Sequence, residues 1–163
     1  MVISAHSKED TFRMLSVIPD PEIPVVNIYE MGMLRDVLIT DKGYEIILTP
    51  TYTGCPAMGI IEQDIKMTLK KNGVFPVTVK MVYDPPWTTD RMSDVAKKKL
   101  KAYGIAPPLH SSCTQDVFNN NIIECPRCHS GDTVLISRFG ATACKSLYKC
   151  NNCKEPFEYF KCH

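Results

Sequence analysis

The cysteines carry the clearest chemical signal in the sequence. Six of the eight lie in the last 39 residues. Four of these form two C-x-x-C pairs, Cys125 with Cys128 and Cys150 with Cys153, with 21 residues between the pairs. Each pair places two thiolates on one tight turn, and two such turns supply the four soft ligands of a tetrahedral zinc site. Because all four ligands are cysteines, the spacing predicts a structural zinc ion and not a catalytic one.

Three alternatives to zinc stay open from the sequence: disulfide bonds, an iron–sulfur cluster, or cysteines without a metal. The N-terminus, MVISAHSKED, lacks the basic start and apolar stretch of a signal peptide. No run approaches the roughly 18 to 20 apolar residues of a membrane span. We therefore expect a soluble cytoplasmic protein, in which clustered cysteines bind metal more often than they form disulfides.

The charge of the chain gives no support to nucleic-acid binding. The sequence has 19 Lys and Arg residues against 18 Asp and Glu residues. From residue 122 onward six basic residues face four acidic ones. Four thiolates around one Zn²⁺ carry a net charge of −2, which cancels that surplus of two. A zinc-ribbon nucleic-acid adaptor therefore remains a rival hypothesis without an electrostatic basis.

A further cysteine, Cys55, lies directly before Pro56 and an apolar-periodic segment. If Pro56 is the first residue of a helix, Cys55 is its N-cap and Gly54 lets the backbone turn into it. The thiol would then lie at the positive end of a helix dipole, which lowers its pKa. Cys55 is thus a candidate metal ligand or nucleophile, although no histidine lies nearby in sequence to serve as its base. The alternative is a buried cap cysteine with a structural role.

The residues before the paired cysteines predict helices and strands in alternation. Ser7 opens a first helix with a capping box, in which Asp10 replaces the usual Glu. Strands are expected over 34–40, 44–49 and 76–83, and one helix is expected after Pro56. A further helix over 92–103 places Met92, Ala96, Leu100 and Tyr103 on one face and ends at Gly104. Further strands at 133–137, 146–149 and 156–161 would form the ribbon around the paired cysteines. The patterns predict an α+β fold, a small mixed sheet with helices, followed by a β-rich zinc ribbon.

The expected domain limits are 7–105 for the α+β domain, 106–121 for a linker and 122–163 for the zinc ribbon. The linker is rich in turn formers and has no sustained periodicity. So small a ribbon buries too little apolar surface to fold alone, so the metal must contribute much of its stability. Cys113, Cys144 and Cys162 receive no assigned role. Cys144 and Cys162 are expected to be small buried hydrophobes, with a second thiol pair as the alternative.

Three motifs resemble the MIP18-type domain of iron–sulfur cluster assembly factors. They read DPEIPVVNIYEMGML, TPTYTGCPAM and DPPWTTDRM. The tail, SRFGATACKSLYKCNNCKEPFEYFKC, is similar to a family of accessory subunits of the phenylacetyl-CoA epoxidase system. The resemblance implies a MIP18-like fold for the first domain. It also implies that Asp20, Glu22, Thr53 and Cys55 form a candidate iron or cluster site.

The same resemblance implies a non-catalytic accessory protein of aerobic phenylacetyl-CoA degradation, which matures or delivers the iron or iron–sulfur centre of the multicomponent oxygenase. The implied partners are the oxygenase and reductase subunits, with no nucleic acid and no membrane; a homodimer is a further expectation. Zinc is the implied cofactor, with a transient iron or iron–sulfur cargo. The sequence agrees, because it has no Glu-x-x-His pair for a diiron site and no Gly-rich nucleotide motif. A purely structural docking subunit, in which Cys55 is inert, is the alternative.

Overall fold

The computed structural model describes residues 6–109 and 122–161, and these divide into two compact units, one on each side of the Trp87–Thr88 bond. The first unit contains α1 (Lys8–Leu15), β1 (Leu34–Thr40), β2 (Gly43–Leu48), α2 (Met58–Lys71) and β3 (Val77–Met81). The second contains a 3₁₀ turn (Thr89–Arg91), α3 (Asp94–Tyr103), β4 (Ile105–Ala106), β5 (Thr133–Ser137), β6 (Lys145–Cys150) and β7 (Pro156–Phe160). The predicted α+β fold with a β-rich second part is confirmed. Within the described residues, no helix is both long and apolar enough to cross a bilayer.

The sheet of the first unit has the order β1-β2-β3 and is mixed, as predicted. β1 and β2 form an antiparallel hairpin, whereas β2 and β3 are parallel and joined through α2. Gly43 closes the hairpin with φ 119°, and a Cβ there would lie only 2.3 Å from the Pro76 carbonyl oxygen. The buried side chains follow period two on β2 and period three to four on α2, as a helix packed on a sheet requires. They are Tyr44, Ile46 and Leu48 on β2 and Ile61, Ile65 and Leu69 on α2.

The capping box predicted for α1 is confirmed. The Asp10 backbone N–H donates to Ser7 Oγ at 3.1 Å, and the Ser7 N–H donates to Asp10 Oδ2 at 3.3 Å. These bonds satisfy two groups that a helix N-terminus otherwise leaves unpaired. Thr11 and Leu15 form the buried side of the helix, so α1 contributes to the core of the first unit.

In the second unit, the predicted end of α3 at Gly104 is confirmed. Gly104 adopts the left-handed conformation with φ 95°, and its N–H closes the last turn on Leu100 and Lys101. Ala96 and Leu100 are buried as expected, but Tyr103 is 56% exposed, so its predicted place on the buried face is wrong. The helix stops there because the next residues leave to form β4.

β4 changes the expected role of the segment after α3. Ile105 and Ala106 pair in parallel with Glu158 and Tyr159 of β7, so the second sheet has the order β4-β7-β6-β5. Ala106, the first residue of the predicted linker, is therefore part of the sheet. The remaining linker prediction, including Cys113, falls mainly on residues 110–121, outside the described residues, as does Cys162. The domain limits 7–105, 106–121 and 122–163 therefore stay a prediction.

A buried ion pair holds the loop between β5 and β6. Lys145 Nζ lies 2.5 Å from Glu158 Oε2, and Glu158 Oε1 accepts from the Ala141 N–H at 2.6 Å. Both side chains are mostly buried, and each has the other as its oppositely charged partner, so removing either one would leave a buried charge unpaired. Cys144 in the same loop is 2% exposed, as predicted, and its Sγ lies 3.0 Å from Thr142 Oγ1.

Candidate functional site

Two similar turns present the four paired cysteines. In the first, the Cys125 N–H donates to the Ser130 carbonyl oxygen at 2.9 Å. In the second, the Cys150 N–H donates to the Glu155 carbonyl oxygen at 3.0 Å. The residue after the second cysteine of each pair has a positive φ, 61° at His129 and 65° at Lys154. This repeated left-handed residue turns each chain back and leaves the two thiols of the pair on the inner side of the turn.

The spacing of the four thiols fits a tetrahedral zinc ion. All four Sγ atoms lie within 4.8 Å of one another; Cys125 and Cys153 are 3.8 Å apart, and Cys128 and Cys150 are 3.5 Å apart. A Zn–S bond of about 2.3 Å in a regular tetrahedron gives S···S distances of about 3.8 Å. A disulfide requires about 2.05 Å, so the thiols are arranged as ligands and not as bonded pairs.

The electrostatics of the cluster also call for a cation. The backbone N–H of Ser130 lowers the pKa of the Cys128 thiol to about 6. The Glu155 N–H lowers the pKa of Cys153, but burial and the neighbouring thiols raise it to about 11. One thiolate is thus stabilised while an adjacent thiol is kept protonated, because like charges at this distance oppose each other. A divalent metal removes that conflict and permits all four thiolates to form.

An apolar core closes one side of the cysteine cluster. Buried Ala106, Ile123, Phe157 and Tyr159 pack with the cysteines, and Tyr148 packs against them. The Tyr148 ring stacks on Phe157, with centroids 5.9 Å apart. A metal held by four thiols against such a core has no open ligand position, which is the arrangement of a structural site. The contribution of Ala106 was not predicted, because nothing in the local sequence marks a two-residue strand.

The structure corrects the predicted position of Cys55 at the cap of α2. The N-cap is Ala57, which makes no side-chain capping bond, and the helix begins at Met58. Pro56 and Ala57 instead form a turn in which the Met58 N–H faces the Cys55 carbonyl oxygen at 3.4 Å. Proline suits the second position of such a turn as well as the first position of a helix, so the sequence alone does not separate the two.

The predicted direction of the Cys55 pKa is also wrong. Burial raises the pKa of the thiol above its ordinary value of 9.0, and the charges of Glu22 and Asp20 raise it further. The Ala57 N–H and the Tyr52 side chain lower the pKa by less. The acidic loop therefore lies within electrostatic range of a half-buried thiol. Its charges disfavour a second negative charge there and favour a bound cation.

Asp20 has a structural task within that loop. Its side chain is 6% exposed, and Oδ1 accepts the backbone N–H groups of Glu22 at 2.9 Å and Ile23 at 2.8 Å. These bonds hold the turn and present Glu22, whose side chain is only partly buried. Thr53 is exposed on the Cys55 loop, next to Gly54 with φ 84°. The predicted iron or cluster site, formed by Asp20, Glu22, Thr53 and Cys55, stays a prediction.

The tryptophan motif lies beside the loop that leads to Cys55. The Trp87 indole N–H donates to the Met31 carbonyl oxygen at 2.8 Å, and the side chain is 3% exposed. Trp87 also lines a small cavity with Tyr83, Pro86 and the backbone segment 49–53. The available signal was the lone tryptophan after two prolines, Pro85 and Pro86, because a rigid loop commonly positions a neighbouring loop.

Alkylation should reveal the raised pKa of Cys55. Because the thiolate is the reacting species, iodoacetamide should modify Cys55 more slowly than an exposed cysteine at pH 7 to 8, with the rate rising to a midpoint above 9.0. Glu22→Gln removes a charge that raises the pKa, so the midpoint should move to lower pH. Peptide mass spectrometry across a pH series measures both rates. A midpoint below 8 in the unmodified chain would contradict this assignment of charges.

Two family models match the chain in succession. The model described as iron-sulfur cluster assembly protein matches residues 8–81, which cover α1 to β3. The model described as PaaD zinc beta ribbon domain matches residues 110–161, which include the four clustered cysteines.

Curated relatives match either nearly the whole chain or more than half of it. A candidate 1,2-phenylacetyl-CoA epoxidase subunit of Escherichia coli is 48% identical over 98% of this chain and 96% of its own length. An Fe-S protein maturation auxiliary factor of Porphyromonas gingivalis is 35% identical over 58% of this chain and 91% of its own. The auxiliary factor YitW of Bacillus subtilis is 37% identical over 57% of this chain and 92% of its own.

Solved structures resemble the first part of the chain. A domain of unknown function, DUF59, from Bacillus anthracis is 34% identical and covers 57% of this chain and 90% of its own, with a TM-score of 0.54. A conserved hypothetical protein from Thermotoga maritima is 32% identical and covers 61% of this chain and 98% of its own, with a TM-score of 0.51. The fold of the α+β part is thus shared with these two solved structures.

Proposed function

The chain belongs to the PaaD family of phenylacetyl-CoA epoxidase subunits, and from this we propose that it is an accessory protein of aerobic phenylacetate degradation that matures the iron or iron–sulfur centre of the oxygenase. The proposal rests on two matches within one chain. The chain is similar to the Escherichia coli epoxidase subunit over nearly its whole length, and its first part matches the iron–sulfur cluster assembly family. The chain performs no turnover of its own. Its partners are the oxygenase and reductase subunits.

The ribbon serves this function as a metal-stabilised module. Cys125, Cys128, Cys150 and Cys153 hold zinc, and their Sγ separations support that assignment. Zinc supplies the constraint that links the turn before β5 to the turn after β6. The four thiols leave no exchangeable ligand, so the zinc stays in place while the other part of the chain handles iron.

The Cys55 loop handles the cargo in this proposal. Near neutral pH the thiol is largely protonated, because burial and the charges of Glu22 and Asp20 raise its pKa and oppose its ionisation. Binding an iron cation or cluster displaces that proton, and the neighbouring carboxylates attract the cation. Because thiol reprotonation competes with the metal, Cys55 holds its cargo reversibly, as delivery to another protein requires.

Coexpression tests the proposal directly. The oxygenase and reductase subunits are produced with and without this chain, and the purified oxygenase is assayed for iron and for epoxidase activity. We expect iron and activity to fall together, by about tenfold, when the chain is omitted. Full iron and activity without the chain would reject maturation. Salt-sensitive binding of the chain to DNA or RNA would instead favour the nucleic-acid adaptor.

A further inference from the structure

β5 is an edge strand that carries an apolar surface. Among the described residues, β5 pairs only with β6, so its outer edge has no strand partner. Its side chains alternate, and Val134 and Ile136 are 46% and 53% exposed. Phe139, just beyond the strand, is 66% exposed. We refer to Val134, Ile136 and Phe139 as the β5 patch. Proteins usually protect such an edge with a charge, a proline or a covering segment.

The charges around the β5 patch are mainly positive. Lys149 lies opposite Val134 in the ladder and forms no ion pair among the described residues. Lys161 Nζ lies 4.8 Å from the centre of the Phe139 ring. The glutamates of the ribbon are committed elsewhere: Glu124 to Lys101, Glu155 to Arg127 and Glu158 to Lys145. Asp132, directly before β5, is exposed and accepts a hydrogen bond from the Asn151 side chain. The patch is therefore apolar, with cations at its border.

We propose that the β5 patch docks an extended acidic and apolar segment of an epoxidase-system subunit, which adds a strand to the outer edge of β5. Backbone hydrogen bonds to the free edge would supply affinity, and side chains on one face of the added strand would cover Val134 and Ile136. Carboxylates of the segment would face Lys149 and Lys161. That the partner is an epoxidase-system subunit rests on the proposed function. That its segment is acidic and apolar is inferred from the residues of the β5 patch and the lysines beside it.

A second copy of the chain fits this edge less well than an acidic partner. Two β5 strands paired across a twofold axis would bring Lys149 and Lys161 of both copies towards one interface. Like charges across an interface oppose association, and the single nearby carboxylate among the described residues, Asp132, offsets only one of the two lysines. Charge complementarity therefore favours a different, acidic chain over a homodimer through β5.

Two isoleucines of equal exposure provide a matched test. Ile136 in β5 and Ile60 in α2 are each 53% exposed. The full-length chain, tagged and coexpressed with the oxygenase and reductase subunits, is compared with its Ile136→Glu and Ile60→Glu variants. We expect Ile136→Glu to reduce the copurified subunits by about tenfold, because it removes an apolar contact and adds a charge that repels the acidic segment. The Ile60→Glu variant should retain them.

A charge reversal tests the same surface without altering its apolar residues. Lys149→Glu should weaken copurification, whereas Lys98→Glu, at a lysine of α3, should not. Zinc content and thermal unfolding of each variant establish that the ribbon is folded. If a folded Ile136→Glu or Lys149→Glu variant retains the subunits, the inference is rejected. Loss in Ile60→Glu alone would place docking on α2 and reject it too.

Sedimentation and iron analysis separate the remaining outcomes. A chain that is dimeric alone and monomeric as Ile136→Glu would assign the β5 patch to a second copy and overturn the inference. Loss of subunits from Ile136→Glu supports docking even if omission of the chain leaves oxygenase iron unchanged, in which case only maturation fails. Conversely, iron that depends on the chain while the β5 variants dock normally rejects the patch and keeps the maturation function.

Discussion

Removal of zinc from the full-length chain is expected to unfold the ribbon and to leave the first unit folded. The ribbon has a small apolar core built around the cysteines themselves, so the metal links the two turns that bring its ends together. Apparent zinc-binding free energies of such small modules are about 10 to 16 kcal/mol, which exceeds what the core can supply. Metal analysis should find about one zinc per chain. Chelation followed by limited proteolysis should digest residues 122–161 and spare 8–81.

Two buried cysteines provide the control for this expectation. Cys150→Ser removes a ligand and should lower zinc content and expose the ribbon to protease. Cys144→Ser changes a cysteine of similar burial, 2% against 0% exposed, that is not one of the four clustered thiols. It should retain zinc. A freshly purified chain without zinc and with a folded ribbon would contradict the prediction, and stoichiometric iron and sulfide in the ribbon would favour a cluster.

Features with a local cause could be predicted from the sequence. The capping box at Ser7 needs only residues 7–10, and the left-handed stop at Gly104 follows from the one residue type that readily tolerates it. The paired cysteines also act locally, since each C-x-x-C turn forms its own hydrogen bonds and the metal geometry then sets the spacing between turns. For these features, the residue types alone limit the conformations available.

Features that depend on distant residues could not be predicted correctly: the strand at Ala106 was missed, and the pKa of Cys55 was expected to be lowered although it is raised. The dipole argument for Cys55 considered only the helix that follows it, whereas its pKa is raised by burial and by Glu22 and Asp20, far earlier in the chain. Ala106 joins the second sheet because β7, some fifty residues later, offers it an edge. Nothing in the sequence around either position reveals these neighbours, because tertiary contacts decide both.

Cys55→Ser is expected to abolish maturation of the oxygenase while leaving the chain intact. Serine has nearly the size of cysteine, and Cys55 does not cap α2, so the substitution should change the free energy of unfolding by less than about 1 kcal/mol. The soft thiolate ligand is lost, and a hydroxyl remains protonated near neutral pH and binds iron poorly. Iron content and epoxidase activity of the coexpressed oxygenase should both fall by about tenfold.

Comparing Cys55→Ser with Glu22→Gln separates the effect of losing the thiol from the effect of losing a neighbouring charge. Glu22→Gln keeps the thiol and removes a charge that both raises its pKa and attracts a cation, so these effects oppose each other and the loss of iron should be smaller than in Cys55→Ser. Both variants should copurify with the oxygenase as the unmodified chain does, since neither alters the β5 patch. If Cys55→Ser supports full iron and activity, Cys55 is not a ligand, and the chain acts as a docking subunit whose contribution lies in the ribbon.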